Sequence, residues 1–139
     1  MEFVTRKVTN CVAKISLKLE TELRLGNLET MRDWGYAPEY VEAMWLIMQQ
    51  DEPDDYVIAT NETHSVQELV EKAFKLVGLE WQKYVKADDR FLRPLDVNYL
   101  KGDYSKAKQK LGWQPKVTFD KLIEVMVQED VSRWQRWQN

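Results

Sequence analysis

Apolar residues recur at Val8, Val12, Ile15 and Leu19 with lysines on the other side, and this spacing predicts a first helix over 8–19. Residues 21–25 alternate as a short strand that Gly26-Asn27 stops, and the turn 33–35 opens toward a second helix over 38–50. Pro38 suits the first turn of that helix, where a missing N–H costs nothing. Beyond an acidic loop at 51–55, Tyr56-Val57-Ile58-Ala59-Thr60 is an apolar run of strand length bounded by turn residues, and it predicts a buried strand. Ser65-Val66-Gln67-Glu68 has the spacing of a capping box, so a third helix is expected from there to Val77, closed by Gly78. Leu69, Val70, Ala73, Phe74 and Val77 give it one apolar face.

Farther on, 81–85 reads as another strand and 87–101 as extended chain around Arg93-Pro94. Asp103 and Ser105 offer caps for a short helix through Leu111, stopped by Gly112 and Pro115. Val117-Thr118-Phe119 then leads into a last helix with Leu122, Val125, Met126 and Trp134 turned inward. Short strands thus alternate with four to five helices. The fold class is α/β, a small mixed unit rather than a full doubly wound sheet, and 1–139 are expected to form one domain.

Composition narrows the class. With 44% hydrophobic and 31% charged residues, the chain has the balance of a globular protein, and its length allows one core that buries roughly two-thirds of the unfolded surface. No apolar run reaches the ~20 residues that a membrane span requires. The start carries no apolar signal segment and the single Cys11 has no internal partner, so the expected location is cytoplasmic. A net charge of -3 argues against nucleic acid as the partner. With one histidine, His64, no histidine-based metal cluster can be built. The five glycines form no G-x-G-x-x-G turn of the kind that aims helix N–H groups at a pyrophosphate.

Several segments, taken together and in order, carry a resemblance: Phe3-Val4-Thr5-Arg6-Lys7; Leu25-Gly26-Asn27-Leu28 with Arg32-Asp33-Trp34-Gly35; Tyr40-Val41-Glu42-Ala43-Met44-Trp45; Arg90-Phe91-Leu92-Arg93-Pro94-Leu95-Asp96-Val97; and Gly102-Asp103 with Lys106-Ala107-Lys108. They resemble the substrate lobe of nucleotide-sugar short-chain dehydrogenases, most closely the GDP-mannose 4,6-dehydratase family, over about 3–131. The resemblance implies the C-terminal lobe of an extended short-chain dehydrogenase, without its Rossmann domain. In that family the complete enzyme converts GDP-mannose to GDP-4-keto-6-deoxymannose with NADP, and by resemblance the catalytic residues and the cofactor turn belong to the half not represented here. The chain itself is therefore expected to need no cofactor, to be inactive alone, and to bind GDP-mannose or GDP.

By the same resemblance Lys7, Arg32 and Arg93 are the candidate diphosphate contacts, since guanidinium forks and ammonium groups bind phosphate oxygens. Asp96 stands where the family has Glu, a carboxylate suited to ribose hydroxyls but shorter by one carbon. Glu2 replaces a family Asn and would repel a diphosphate, so it is left out of the site. Each assignment has a plainer alternative. Arg32 and Asp33 can brace a strand end, Arg93 can be a solvated loop residue, and Lys106, Lys108 and Lys110 can be the wet face of a helix. Trp34, Trp45, Trp81 and Trp113 are expected in packing rather than as platforms for bases. Tyr104 and Lys108 match a Tyr-x-x-x-Lys spacing by coincidence, and a Cys11–His64 pair stays open. A second functional class is an interaction or remnant protein whose first helix and strand edges expose apolar surface for self-association or for docking on a separate N-terminal Rossmann half.

Overall fold

A computed structural model describes residues 3–91 and 97–138. Its elements run α1 (Val4–Ser16), β1 (Leu23–Leu25), β2 (Met31–Arg32), α2 (Ala37–Met48), β3 (His64–Ser65), α3 (Val66–Leu76), β4 (Val85–Ala87), α4 (Ser105–Leu111) and α5 (Phe119–Gln138), with 3₁₀ turns at Trp81–Lys83 and Asp89–Phe91. The mixed α/β class expected above is the one observed.

α1, α3 and α5 pack on one another and on β1 around Val8, Val12, Leu23, Leu69, Val70, Phe74, Ile123 and Val127, all fully buried. The amphipathic stripe of α1 does its packing here, inside the chain. The helix starts earlier than its apolar spacing suggests and stops at Ser16. Lys18 takes a left-handed conformation (φ 60°), and the Leu19 amide donates back to the Lys14 carbonyl at 2.9 Å, which closes the helix and turns Leu19 outward. The capping box of α3 forms in both directions: Glu68 N–H donates to Ser65 Oγ at 3.0 Å, and Ser65 N–H donates to Glu68 Oε2 at 2.8 Å.

Two short sheets flank this core. β1 pairs in parallel with β4, Leu23 opposite Val85 and Leu25 opposite Ala87. β2 pairs antiparallel with β3, Arg32 opposite His64, and Met31 also bridges to Tyr99. The strand expected over 81–85 begins only at Val85. The preceding 3₁₀ turn sets Trp81 and Tyr84 on the same side, three residues apart, so both reach the core, and the Tyr84 ring lies 5.7 Å from that of Phe74. On α5 the buried positions are Phe119, Leu122, Ile123, Val127 and Asp130, while Val125 and Met126 are only half-buried.

A second, smaller core joins α2 to α4 through Ala43, Ala107 and Trp113, with Tyr40 and Tyr104 edge-on to the Trp113 ring at 6.0 Å each. Glu39 anchors it. Its carbonyl accepts the Trp113 indole N–H at 2.9 Å, and its carboxylate accepts the amides of Lys116 and Val117 at 3.1 Å.

Two departures concern this side of the molecule. Residues 56–60 belong to no strand: among the described residues, the peptide groups of Tyr56, Val57, Ile58 and Ala59 make no hydrogen bond, because no neighbouring strand lies beside them. The exposed apolar face is on α2 and not on α1. Val41, Met44, Trp45 and Met48 form one stripe, each at least 60% exposed. Trp45 therefore departs from the packing expected of it, whereas Trp113 is buried and Trp34 and Trp81 pack against the main core. Among the described residues, no helix is long and apolar enough to cross a membrane.

Candidate functional site

The Arg32-Asp33-Trp34 corner leaves β2 and divides its three side chains among three tasks. Asp33 accepts the Thr60 amide at 2.9 Å, the Thr60 hydroxyl at 2.7 Å and the Gly102 amide at 3.1 Å, which ties two distant segments to one carboxylate. Gly102 is required there, since a Cβ would fall 2.2 Å from the Cβ of Ala59. Trp34 stacks on Phe119 at 5.7 Å, and the His64 ring stacks on the same Phe119 at 3.8 Å. Arg32 donates through Nη1 to the carbonyls of Met31 at 2.8 Å and Val97 at 2.5 Å.

Lys7 projects from α1 toward the opposite end of the same stretch of chain. Its ammonium sits over the Phe91 ring, 3.3 Å from the centroid. Burial pushes the Lys7 pKa below the ordinary lysine value, against the opposing influence of Asp88 and then Cys11. Beside it opens a cavity of about 290 Å³, walled by Cys11, Lys14, Glu22, Leu23, Arg24 and Phe91. Asp88 engages Arg24, one of the lining residues, from outside the cavity. It accepts the Arg90 fork at 2.9 and 2.6 Å and lies 3.7 Å from Arg24, and these donors, led by the Arg90 hydrogen bonds, hold its carboxyl down at about 2. The Cys11 thiol donates to the Glu22 carbonyl at 3.4 Å, and burial first, then the charge of Glu20, raises its pKa to about 11. Such a thiol stays protonated and is no nucleophile at neutral pH.

Of the four residues expected to contact substrate, Arg93 and Asp96 lie outside the described residues. Lys7 and Arg32 hold the two flanks of the segment that contains them: Lys7 at Phe91 and Arg32 at Val97. Arg24, Lys14 and Phe91 are site residues that the sequence reading did not single out. Arg24 is the outward position between the buried Leu23 and Leu25, a signal that strand alternation does contain. Cys11 and His64 take separate partners, the Glu22 carbonyl and the Phe119 ring. Tyr104 packs on Trp113, as befits a structural residue.

Among the described residues, no group of three or more His, Cys, Asp or Glu side chains could hold a metal ion. The glycines of the described residues form no phosphate-binding turn between a strand and a helix. Gly78 and Gly112 sit just beyond the ends of α3 and α4, Gly35 and Gly102 are crowded by Tyr40 and Ala59, and Gly26 leads from β1 into a turn rather than a helix.

Residues 1–126 match the family profile described as GDP-mannose 4,6 dehydratase. The chain is 54% identical over 129 residues to GDP-mannose 4,6 dehydratase 1 of Arabidopsis thaliana, covering 93% of this chain and 36% of that protein. It is 48% identical over 146 residues to GDP-mannose 4,6 dehydratase of Homo sapiens, covering 93% and 39%. It spans little more than a third of the length of these curated relatives. Among solved structures, RMD from Pseudomonas aeruginosa complexed with NADPH superimposes with a TM-score of 0.84 at 18% identity, over 94% of this chain and 43% of that one. The dTDP-glucose 4,6-dehydratase of Bacillus anthracis in complex with NAD gives 0.75 at 20% identity, over 94% and 40%. These likenesses establish the fold, that of a lobe from an extended short-chain dehydrogenase.

Proposed function

Because the chain belongs to the GDP-mannose 4,6-dehydratase family, we propose that it is the C-terminal, substrate-binding lobe of such an enzyme, a single domain that binds a GDP-sugar and does not turn it over alone. The observation that carries this is the placement of Lys7 and Arg32 on Phe91 and Val97, the residues that flank the Arg93–Asp96 segment, with Lys7 and Phe91 lining a cavity of about 290 Å³. Lys7, Arg32 and Arg93 supply charge-assisted donors to the two phosphates, and Asp96 accepts from the ribose hydroxyls. Conversion of GDP-mannose to the 4-keto-6-deoxy sugar needs a hydride carrier and a base. Tyr104 packs on Trp113 and the glycines are committed elsewhere, so this chain's residues offer neither. Calorimetric titration with GDP and GDP-mannose tests the reading. Saturable binding that weakens in Lys7→Gln and Arg93→Ala supports it, and no heat at millimolar ligand overturns it.

A second reading, an interaction protein, draws on a different observation. α2 and the segment 56–59, with its unbonded peptide groups, both pack on the smaller core, through Tyr40, Ala43 and Leu46 and through Tyr56 and Ile58. That combination favours docking against the remainder of the enzyme, a Rossmann half carried separately, with self-association in its absence. The two readings are compatible, since a substrate lobe needs a cofactor domain to rest on. Sedimentation of the chain over a concentration series measures the second directly.

A further inference from the structure

Where α1 crosses α5, Asp130 is completely buried and receives three donors: the Thr9 hydroxyl at 2.8 Å and the guanidinium groups of Arg6 and Arg133. Enclosing a carboxylate requires one cationic partner and enough hydrogen bonds to fill its lone pairs. Arg6 with Thr9 meets that need, so Arg133 is surplus to it. Both arginine side chains remain about a third exposed, at 33% and 37%, and the other N–H groups of the two forks have no partner among the described residues.

These forks open into a cavity of about 250 Å³ that adjoins the one beside Lys7 at Asn10, which lines both, and is completed by Trp134 and Trp137. The Trp134 indole N–H donates to Asn10 Oδ1 at 2.7 Å, which fixes the ring, and the Lys14 ammonium stands 4.5 Å from the ring's centroid. Trp137 lies 6.4 Å from Trp134, tilted by 49°, and is 79% exposed, so its ring is open to a neighbour. Within the cavity Arg6 and Arg133 against Asp130 leave one positive charge beside two indole rings, and Lys14, which lines the neighbouring cavity, adds a second at the Trp134 ring. A phosphate monoester carries about two negative charges at neutral pH, and Arg forks match its oxygens in pairs. Indole faces take flat rings by stacking.

We propose that this cleft is a second binding site, distinct from the GDP-sugar site, for a phosphate monoester that carries a flat ring, as a nucleoside monophosphate does. The phosphate lies on Arg6 and Arg133 and the ring lies against Trp134 and Trp137. The site does not depend on the substrate lobe binding GDP.

The test uses the full chain labelled with 5-fluorotryptophan, with the Trp134 and Trp137 resonances assigned from Trp134→Phe and Trp137→Phe, and titrated with AMP, adenosine or inorganic phosphate. AMP should shift both resonances saturably, with adenosine and phosphate each weaker by about tenfold or more. Arg133→Gln leaves Arg6 and Thr9 on Asp130 and should weaken AMP by about tenfold. Trp137→Ala, at an exposed position, should weaken it while Trp134 still reports. The proposal is overturned if AMP at millimolar concentration moves neither resonance, if inorganic phosphate binds as well as AMP, or if Arg133→Gln and Trp137→Ala both leave the affinity unchanged. It is equally overturned if Lys7→Gln abolishes the shifts, because the ligand would then sit in the neighbouring cavity.

Discussion

The Lys7 ammonium rests 3.3 Å from the centre of the Phe91 ring, so a residue of the first helix holds the chain just where it enters the Arg93–Asp96 segment. The contact is cation–π in kind, and burial of the ammonium makes it stronger than its exposed counterpart. Burial of the ammonium, unlike the ring contact, disfavours the charged form of Lys7.

That gives a pH signature. An anion needs Lys7 protonated, and the lysine loses its proton below the ordinary 10.5. GDP affinity should therefore fall as pH rises from neutral, earlier than for an unperturbed lysine. In Lys7→Arg the decline should vanish, because a guanidinium keeps its charge. Lys7→Gln should weaken GDP by about tenfold at neutral pH. Calorimetry at several pH values checks all three.

Asp88 pairs with Arg90 and lies near Arg24, and its carboxyl, normally near 3.8, is held at about 2, first by the Arg90 hydrogen bonds. A depressed carboxylate stabilises the fold above its unfolded value and loses that contribution as pH falls through the folded one. Thermal stability should thus drop between about pH 4 and pH 2, with part of the slope missing in Asp88→Asn. Melting temperatures of the two proteins across that window decide the matter.

Removal of the Asp130 charge is expected to be costly to the fold. Asp130→Ala leaves Thr9 and two guanidiniums without their common acceptor at the α1–α5 contact. A loss of about 3 kcal/mol follows from breaking a buried ion pair, the partial exposure of the arginines keeping it near the lower end of the usual range. Urea denaturation measures it. Asp130→Asn, which keeps the shape and one acceptor, should lose less.

The amides of Val57, Ile58 and Ala59 should exchange with solvent deuterium far faster than those of α1, since no carbonyl accepts them. Addition of a partner that covers this side should protect them. Trp45→Lys, at an exposed position on the α2 stripe, should leave the unfolding free energy within about 0.5 kcal/mol of the parent and reduce concentration-dependent sedimentation.

What could be seen in the sequence was local. The Ser65–Glu68 box, the glycine stops at 78 and 112, and the helical stripe of α1 all depend on neighbours within a few residues, and all appear in the structure. Lys18 escaped notice because a left-handed turn at a non-glycine residue leaves no compositional mark. For 56–60 the residue types do suit a strand, yet a strand needs an adjacent strand, and pairing is not a property of the segment itself. The same limit applied to the site. Lys7 and Arg32 came from motifs, whereas Arg24 and Phe91 reach the cavity only because β1 pairs with β4, a contact between segments far apart in the chain.

The arrangement around Asp33 has an electrostatic consequence for its neighbour. Its negative charge points into the amides of Thr60 and Gly102 and the Thr60 hydroxyl, three dipoles whose positive ends all face it. In the proposed site, a diphosphate approaching Arg32 meets a carboxylate already engaged and held in place by three donors, which keep its oxygens turned toward Thr60 and Gly102.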